Sequence, residues 1–291
     1  MSGSTITQAF VQQWDTSLRH ELGQKDSRFM KAVTDRGTIT GESFTINNLD
    51  DDGSLMPVNS VRHGDTQWSN DTYVTAVVTM KDFYDAKPLD RNDVPKMIVN
   101  PVTGGDYMAK IIAKRNRTID NLIYRACRDS QLKKDGTSEA LPSGQKIAHG
   151  SAGFTKGKLV TAKKIFRANE CDEHNGEELY IAYSSDMLED ILNDTTLTSA
   201  DFMAVKMLQS GDVSGRWMGF NWIPFEGIDP VSASTYYTVA WAKSGIHLGK
   251  GFEEGMVTRR GDKRDLWQVS MGASYGAGRQ QAKKVVEIAY Q

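Results

Sequence analysis

The chain opens on a four-residue rhythm: Ile6, Phe10, Trp14, Leu18 and Leu22 recur along one stripe, Thr5-Ile6-Thr7-Gln8 fits a capping box, and Gly23 supplies a stop. This spacing predicts one amphipathic helix. Either it packs on the subunit's own core or it serves as an arm on a neighbouring subunit. From Thr38 to Ile46 and from Thr72 to Met80 the pattern changes to alternation rich in Thr, Val, Ile, Phe and Tyr, which predicts two long strands. The polar stretch between them, with Asp50-Asp51-Asp52-Gly53, Pro57 and Gly64, lacks the apolar content for a core, so the ribbon is expected to lean on something else.

A long helix is predicted next, from Gly105 to Lys134, with Tyr107, Met108, Ile111, Ile119, Ile123 and Cys127 among its apolar positions. At that length it would span roughly 45 Å. Asp135-Gly136 ends it, and Gly, Ser and Pro predict a mobile loop as far as Gly157. Helix and strand then alternate: a helix from Leu159 to Ala168, a strand from Glu178 to Tyr183, and helices starting at Ser185 and Ser199. The remainder reads as strands over Gly215–Phe225, Tyr236–Ala242, Gly255–Thr258, Leu266–Ser274 and Val285–Ala289. The class is mixed α+β without regular βαβ alternation, and there is no internal repeat.

Composition narrows the function classes. The 291 residues are 39% hydrophobic and 25% charged, an ordinary globular balance that allows one or two domains. A net charge of −2 removes the global footprint of a tight nucleic-acid binder. The N-terminal residues have no basic flank or apolar core of a signal peptide, and no apolar run reaches transmembrane length. Cys127 and Cys171, the two cysteines, have no partners at zinc-site spacing and read as reduced thiols.

Candidate chemistry is sparse. Asn48, Asp50, Asp52 and Gly53 match the first half of a calcium loop, but position twelve is Asn59 and Pro57 lies inside, so a solvated acidic turn is the better reading. Cys171, Asp172, Glu173 and His174 cluster, yet the five histidines show no spacing that would complete a thiol nucleophile. The stretches Gly245–Gly255 and Gly272–Gly278 lack the Lys-Ser/Thr ending of a phosphate loop and read as bulges and tight turns. No catalytic, cofactor-binding or metal residue is assigned.

Charge is unevenly distributed. From Ile46 to Asp93 nine Asp stand against four Lys and Arg, a net of −5, whereas Lys243–Val286 carries nine Lys and Arg against four acids, a net of +5. Thr103–Asp135 nets +4, from eight bases and four acids.

Taken in order, these parts resemble the major capsid proteins of tailed double-stranded DNA phages with the Hong Kong 97 type fold. The segments that carry the resemblance are Ser185-Asp186-Met187-Leu188, Ser199-Ala200-Asp201-Phe202, Gly215-Arg216-Trp217-Met218-Gly219-Phe220 and Val285-Val286-Glu287-Ile288. It implies an N-terminal arm over residues 1–35, an E-loop hairpin over 36–82, a P-domain with a spine helix over 83–157, a mixed A-domain over 158–255, and returning strands over 256–291. It further implies hexamers and pentamers building an icosahedral shell around the genome, with no enzymatic activity and no cofactor. The implied partners are other copies of the chain, a scaffolding protein, a portal protein and an optional decoration protein, with weak non-specific contact to packaged DNA and none to membrane. The scaffold is expected to be separate because the arm-like helix already begins at Thr5. The implied location is the virion capsid, assembled in the host cytoplasm. The alternatives are an encapsulin-like nanocompartment shell and a small-molecule enzyme using Cys171 and His174.

Overall fold

The computed structural model describes residues 24–49, 73–93, 106–193, 213, 216–228, 230–232 and 235–291. The first half of the chain forms β1 (Thr34–Thr38), β2 (Ser43–Leu49), β3 (Tyr73–Thr79), β4 (Lys81–Leu89), α1 (Asp106–Arg128), β5 (Gln131–Lys133), β6 (Ser138–Glu139) and β7 (Lys146–Ile147). The second half forms α2 (Lys156–Ala168), β8 (Leu179–Tyr183), α3 (Ser185–Asn193), β9 (Arg216–Trp217), β10 (Phe220–Pro224), β11 (Pro230–Ser232), β12 (Thr235–Ala242), β13 (Ile246–Arg260), β14 (Leu266–Arg279) and β15 (Val285–Tyr290). The class is mixed α+β, and three sheets carry the strands: β1-β13-β14-β4, β7-β15-β12-β8-β10-β9 with β11 beside β12, and β2-β3-β5-β6.

Helix α1 ties the sheets together because its apolar stripe is long enough to reach two of them. Near its start Tyr107, Met108 and Ile111 pack on Val269 and Met271 of β14 and Leu89 of β4. Further along, Ile119, Ile123, Tyr124 and Cys127 enter the main core, where the Tyr124 hydroxyl donates to the Tyr237 carbonyl of β12. In the second sheet Trp241 pairs with Tyr180, and its indole N–H donates to the Ala32 carbonyl at 2.9 Å while Phe29 meets it edge-on. Phe220 pairs with Leu179, one residue from Tyr180 and therefore on the opposite face, and there it meets Phe166 of α2. Helix α2 thus covers one face of this sheet and the Phe29 segment the other.

Four expectations are corrected. Helix α1 stops at Arg128, six residues before Lys134, which gives 23 residues and about 35 Å. The reason is competition for the backbone: residues 131–133 join β3 as a strand, and the buried Arg279 guanidinium takes the carbonyls of Cys127 and Asp129 where the helix ends. The stretch 135–157 is not simply a loop, for it holds β6 and β7 and buries Leu141, Gln145 and Phe154. Strand β4 had no sequence signal, since its α1-facing positions include Asp85, paired with Lys114, and Lys87, and Pro88 sits near its end on a sheet edge.

The fourth correction concerns the hairpin. The root of β2–β3 has a small core of its own, Phe44, Ile46, Ala76 and Val78, joined by Ile39 and Met80. It seats on the glycine-rich strands of the same chain. A Cβ at Gly249 would lie 2.7 Å from the Phe44 ring, and one at Gly278 would collide with Val78. These glycines are close-approach positions inside long strands; a bulge is present too, between Lys250 and Glu253 of β13.

Candidate interaction surfaces

The sequence-proposed chemistry does not converge. Cys171 is buried, and that burial pushes its thiol up to about 11, the opposite of what a nucleophile needs. His174 lies on the surface beside Arg167, its ring nitrogen 3.3 Å from the guanidinium, while Asp172 accepts from the His174 backbone N–H. Cys127 is fully buried, which raises its thiol to about 12. Asn48 lies in β2, where its side-chain oxygen accepts from Gln281, and the rest of the partial calcium motif falls outside the described residues. Among the described residues there is no cluster of potential metal ligands and no helix long and apolar enough to cross a membrane.

A groove of about 130 Å³ runs between α1 and the β4 edge, with Phe83, Met271, Ala273 and Tyr275 as its apolar floor. Its charged rim is already matched within the subunit. Lys114 meets Asp85 at 2.9 Å, and Arg115 meets Glu253, which also accepts from the Tyr275 hydroxyl. Among the described residues the groove therefore offers no free acid, base or nucleophile in a reactive arrangement.

What the subunit does expose is apolar sheet surface. Tyr84 of β4 pairs with Gly272 of β14, and Phe252 leans over the same glycine, whose missing side chain leaves room for both rings. Register places Met256 on this face too, opposite the one that α1 covers. Tyr84 is 69% and Phe252 56% exposed, large values for such side chains. A second apolar pair, Leu49 and Tyr73, stands at the far end of the β2–β3 hairpin, with Tyr73 73% exposed. At the tip joining β13 to β14, Arg259 and Arg260 are matched by Asp265 and Asp262, whereas Lys263 and Arg264 extend into solvent with no ion pair among the described residues.

The chain enters this body through one buried carboxylate. Asp120 of α1 is fully buried and accepts from the Ser27 hydroxyl at 2.5 Å, the backbone N–H groups of Arg28 and Phe29 at 2.9 and 3.1 Å, and the Gln24 side chain. Asn116, one turn earlier, donates to the Lys25 carbonyl. This cluster holds residues 24–29 against α1. Sequence reading missed it because an Asp among the polar positions of a helix looks solvated. Asp120→Asn should destabilise the subunit by about 2 kcal/mol, since an amide turns a donor toward N–H groups that need acceptors. Urea unfolding would measure this, and faster proteolysis near residues 24–29 should accompany it; an unchanged midpoint would remove Asp120 as the anchor.

A second junction is pH-sensitive. His247 of β13 faces Thr34 of β1, and its Nδ1 accepts from Arg36 Nε at 3.1 Å. Burial, then the nearby Arg36 charge, lowers its pKa to about 4, with Gln280 and Lys284 as the other groups facing it. The unfolded chain takes up a proton near pH 6.5 that the folded subunit refuses until about pH 4. This contribution to stability is therefore complete above pH 6.5, falls away as the pH drops toward 4, and then levels off, a change of about 2 kcal/mol. His247→Gln should flatten this part of an unfolding-versus-pH curve; an identical slope in the variant would discard the assignment.

The exposed apolar sheet faces of the described residues suit a subunit that meets other proteins. A family model described as "Phage capsid protein" matches residues 6–291, nearly the whole chain. The chain belongs to the phage capsid protein family. Solved capsid structures share its fold from end to end. The capsid of cyanophage P-SCSP1u matches with a TM-score of 0.72 at 15% identity, covering 100% of this chain and 95% of that one. The capsid of a native GTA particle, also at 0.72, has 11% identity and covers 99% of each chain. Cyanophage Pam1 gives the same score at 11% identity, with 99% and 98% covered. At these identities the likeness speaks for the fold. No curated protein matches the chain. This capsid protein is a structural subunit of the phage shell, and its location is the virion capsid.

Proposed function

We propose that this capsid protein forms hexamers and pentamers that close into an icosahedral shell around double-stranded DNA, and that it carries no enzymatic activity. The observation behind this reading is the family match over residues 6–291, on a subunit that exposes apolar side chains such as Tyr73, Tyr84 and Phe252 on its sheets. Closed symmetric assembly covers such surfaces without leaving open edges. Residues 1–35 would act as the arm, 36–82 as the E-loop, 83–157 with 256–291 as the P-domain and 158–255 as the A-domain. A separate scaffolding protein, a portal protein and an optional decoration protein would be its partners in the host cytoplasm, with weak contacts to the packaged DNA.

The test is negative-stain microscopy and light scattering of the purified protein, alone and with a scaffolding protein from the same phage. Closed shells or ring-shaped capsomers support the proposal. Monomers alone, over a wide concentration range with scaffold present, would overturn it.

A further inference from the structure

The two helices beside the second sheet carry opposite charge. Helix α2, residues 156–168, contains five Lys and Arg and no acid, whereas α3, residues 185–193, contains three acids and no base. Much of this charge is used within the subunit. Lys158 donates to the carbonyls of Ala152 and Gly153, Lys163 pairs with Glu173, Arg167 lies 3.5 Å from Asp172, and Asp190 accepts from the Phe154 N–H. Four exposed groups remain: Lys156 and Lys164 on α2, and Asp186 and Glu189 on α3, none with an ion pair among the described residues.

Spacing makes each pair a ridge. Lys156 and Lys164 are eight residues apart and share a helical face with Val160, which is 46% exposed between them. Asp186 and Glu189 are three apart and stand together on α3. Val160 adds apolar area between the two lysines. Within one copy the ridges do not lie along each other: Asp190 of α3 meets the chain just before α2, but α2 then runs across the sheet from the Phe154 end, where Phe154 meets Tyr290, to the Phe220 end, and carries Lys164 away from α3.

We infer that the α2 ridge of one copy docks on the α3 ridge of the next, forming a heterologous contact that closes the capsomer ring. The partner is a second copy of this chain because the subunit itself supplies both complementary surfaces, and a head-to-tail contact repeated by rotation closes a ring. The inference rests on the shell-building reading above and adds which surfaces do the closing.

The experiment uses two full-length double variants. Lys156→Glu with Lys164→Glu leaves both ridges acidic; Asp186→Lys with Glu189→Lys leaves both basic. Each alone should lower capsomer yield at least tenfold, as judged by native mass spectrometry at low salt. Mixed in equal amounts, they should recover six-membered rings by alternating around the ring. Five-membered rings should stay depleted, because an odd ring must contain one contact between like charges. A thermal melt of each variant checks folding, and Asp186→Asn with Glu189→Gln, which removes charge without reversing it, should give an intermediate yield. If the wild type forms rings and the mixture recovers none, or the variants assemble normally, the inference is wrong while the shell reading stands. If the wild type forms no ring or shell under any condition, it is the shell reading that fails.

Discussion

Replacing Arg279 with alanine should cost the subunit about 4 kcal/mol, enough to unfold a marginally stable domain at 37 °C. Arg279 is 2% exposed and, among the described residues, its charge meets no carboxylate within salt-bridge distance; its guanidinium donates instead to the carbonyls of Cys127, Asp129 and Glu139. Two of those carbonyls lie at the C-terminal end of α1, the negative pole of the helix dipole, so one side chain caps the helix, offsets its terminal charge and pins the turn toward β6. Its backbone N–H also donates to Gln131, at the start of the strand that replaces the expected last turns of the helix. Alanine takes the donor from the buried Cys127 carbonyl, removes the bonds to the carbonyls of the exposed residues Asp129 and Glu139, and leaves a cavity where a large side chain stood. Lysine keeps the charge but cannot reach three divergent acceptors, and should recover about half the loss. Urea unfolding of the unassembled subunit measures both; an Arg279→Ala midpoint within error of wild type would mean that water replaces the side chain without penalty.

Arg279 also marks where sequence reading stops. The apolar rhythm of α1 from Tyr107 to Cys127, the strand at Leu179–Tyr183, the helix from Ser185 and the closing strand from Val285 were legible because each buries a repeating set of side chains whose period identifies the element. The true end of α1 was not, because it is decided by a residue 151 positions away. Strand β4 was hidden for a related reason: its inward Asp85 is tolerated only because Lys114 stands opposite on α1. The hairpin looked coreless in isolation, since the surface it seats on is made of glycines whose role is the space they leave. Interaction surfaces were legible mainly as charge bookkeeping. The ridges on α2 and α3 required the structure, which separates lysines and acids already matched from those left over.

Such separation changes what the acidic hairpin should do. Of the net −5 over Ile46–Asp93, residues 50–72 hold five Asp against Arg62, a net of −4, while β4 contributes little because Asp85 is already matched. On the basic side, Lys243, Lys250, Arg259, Arg260 and Lys284 are matched within the subunit and Arg279 is buried, which leaves Lys283 and, at the β13–β14 tip, Lys263 and Arg264 without an ion pair among the described residues. If the acidic turn steers onto that tip in a neighbouring copy, the assembly rate should fall steeply with sodium chloride, because exposed charges act over a Debye length of roughly 8 Å at physiological salt. Asp50, Asp51 and Asp52 changed together to Asn should slow assembly at low salt by about a hundredfold, within the roughly 10–10³ range of electrostatic steering, and make it nearly independent of salt. Lys263→Gln with Arg264→Gln should give the same flat curve from the other side. The equilibrium stability of finished shells should change far less, since each exposed pair contributes only about 0–1 kcal/mol and steering acts on the encounter. Light scattering followed from 25 to 500 mM salt, on the order of the range over which screening becomes complete, distinguishes these outcomes. Superimposable salt curves for the wild type and the triple Asn variant would show that Asp50, Asp51 and Asp52 do not steer assembly.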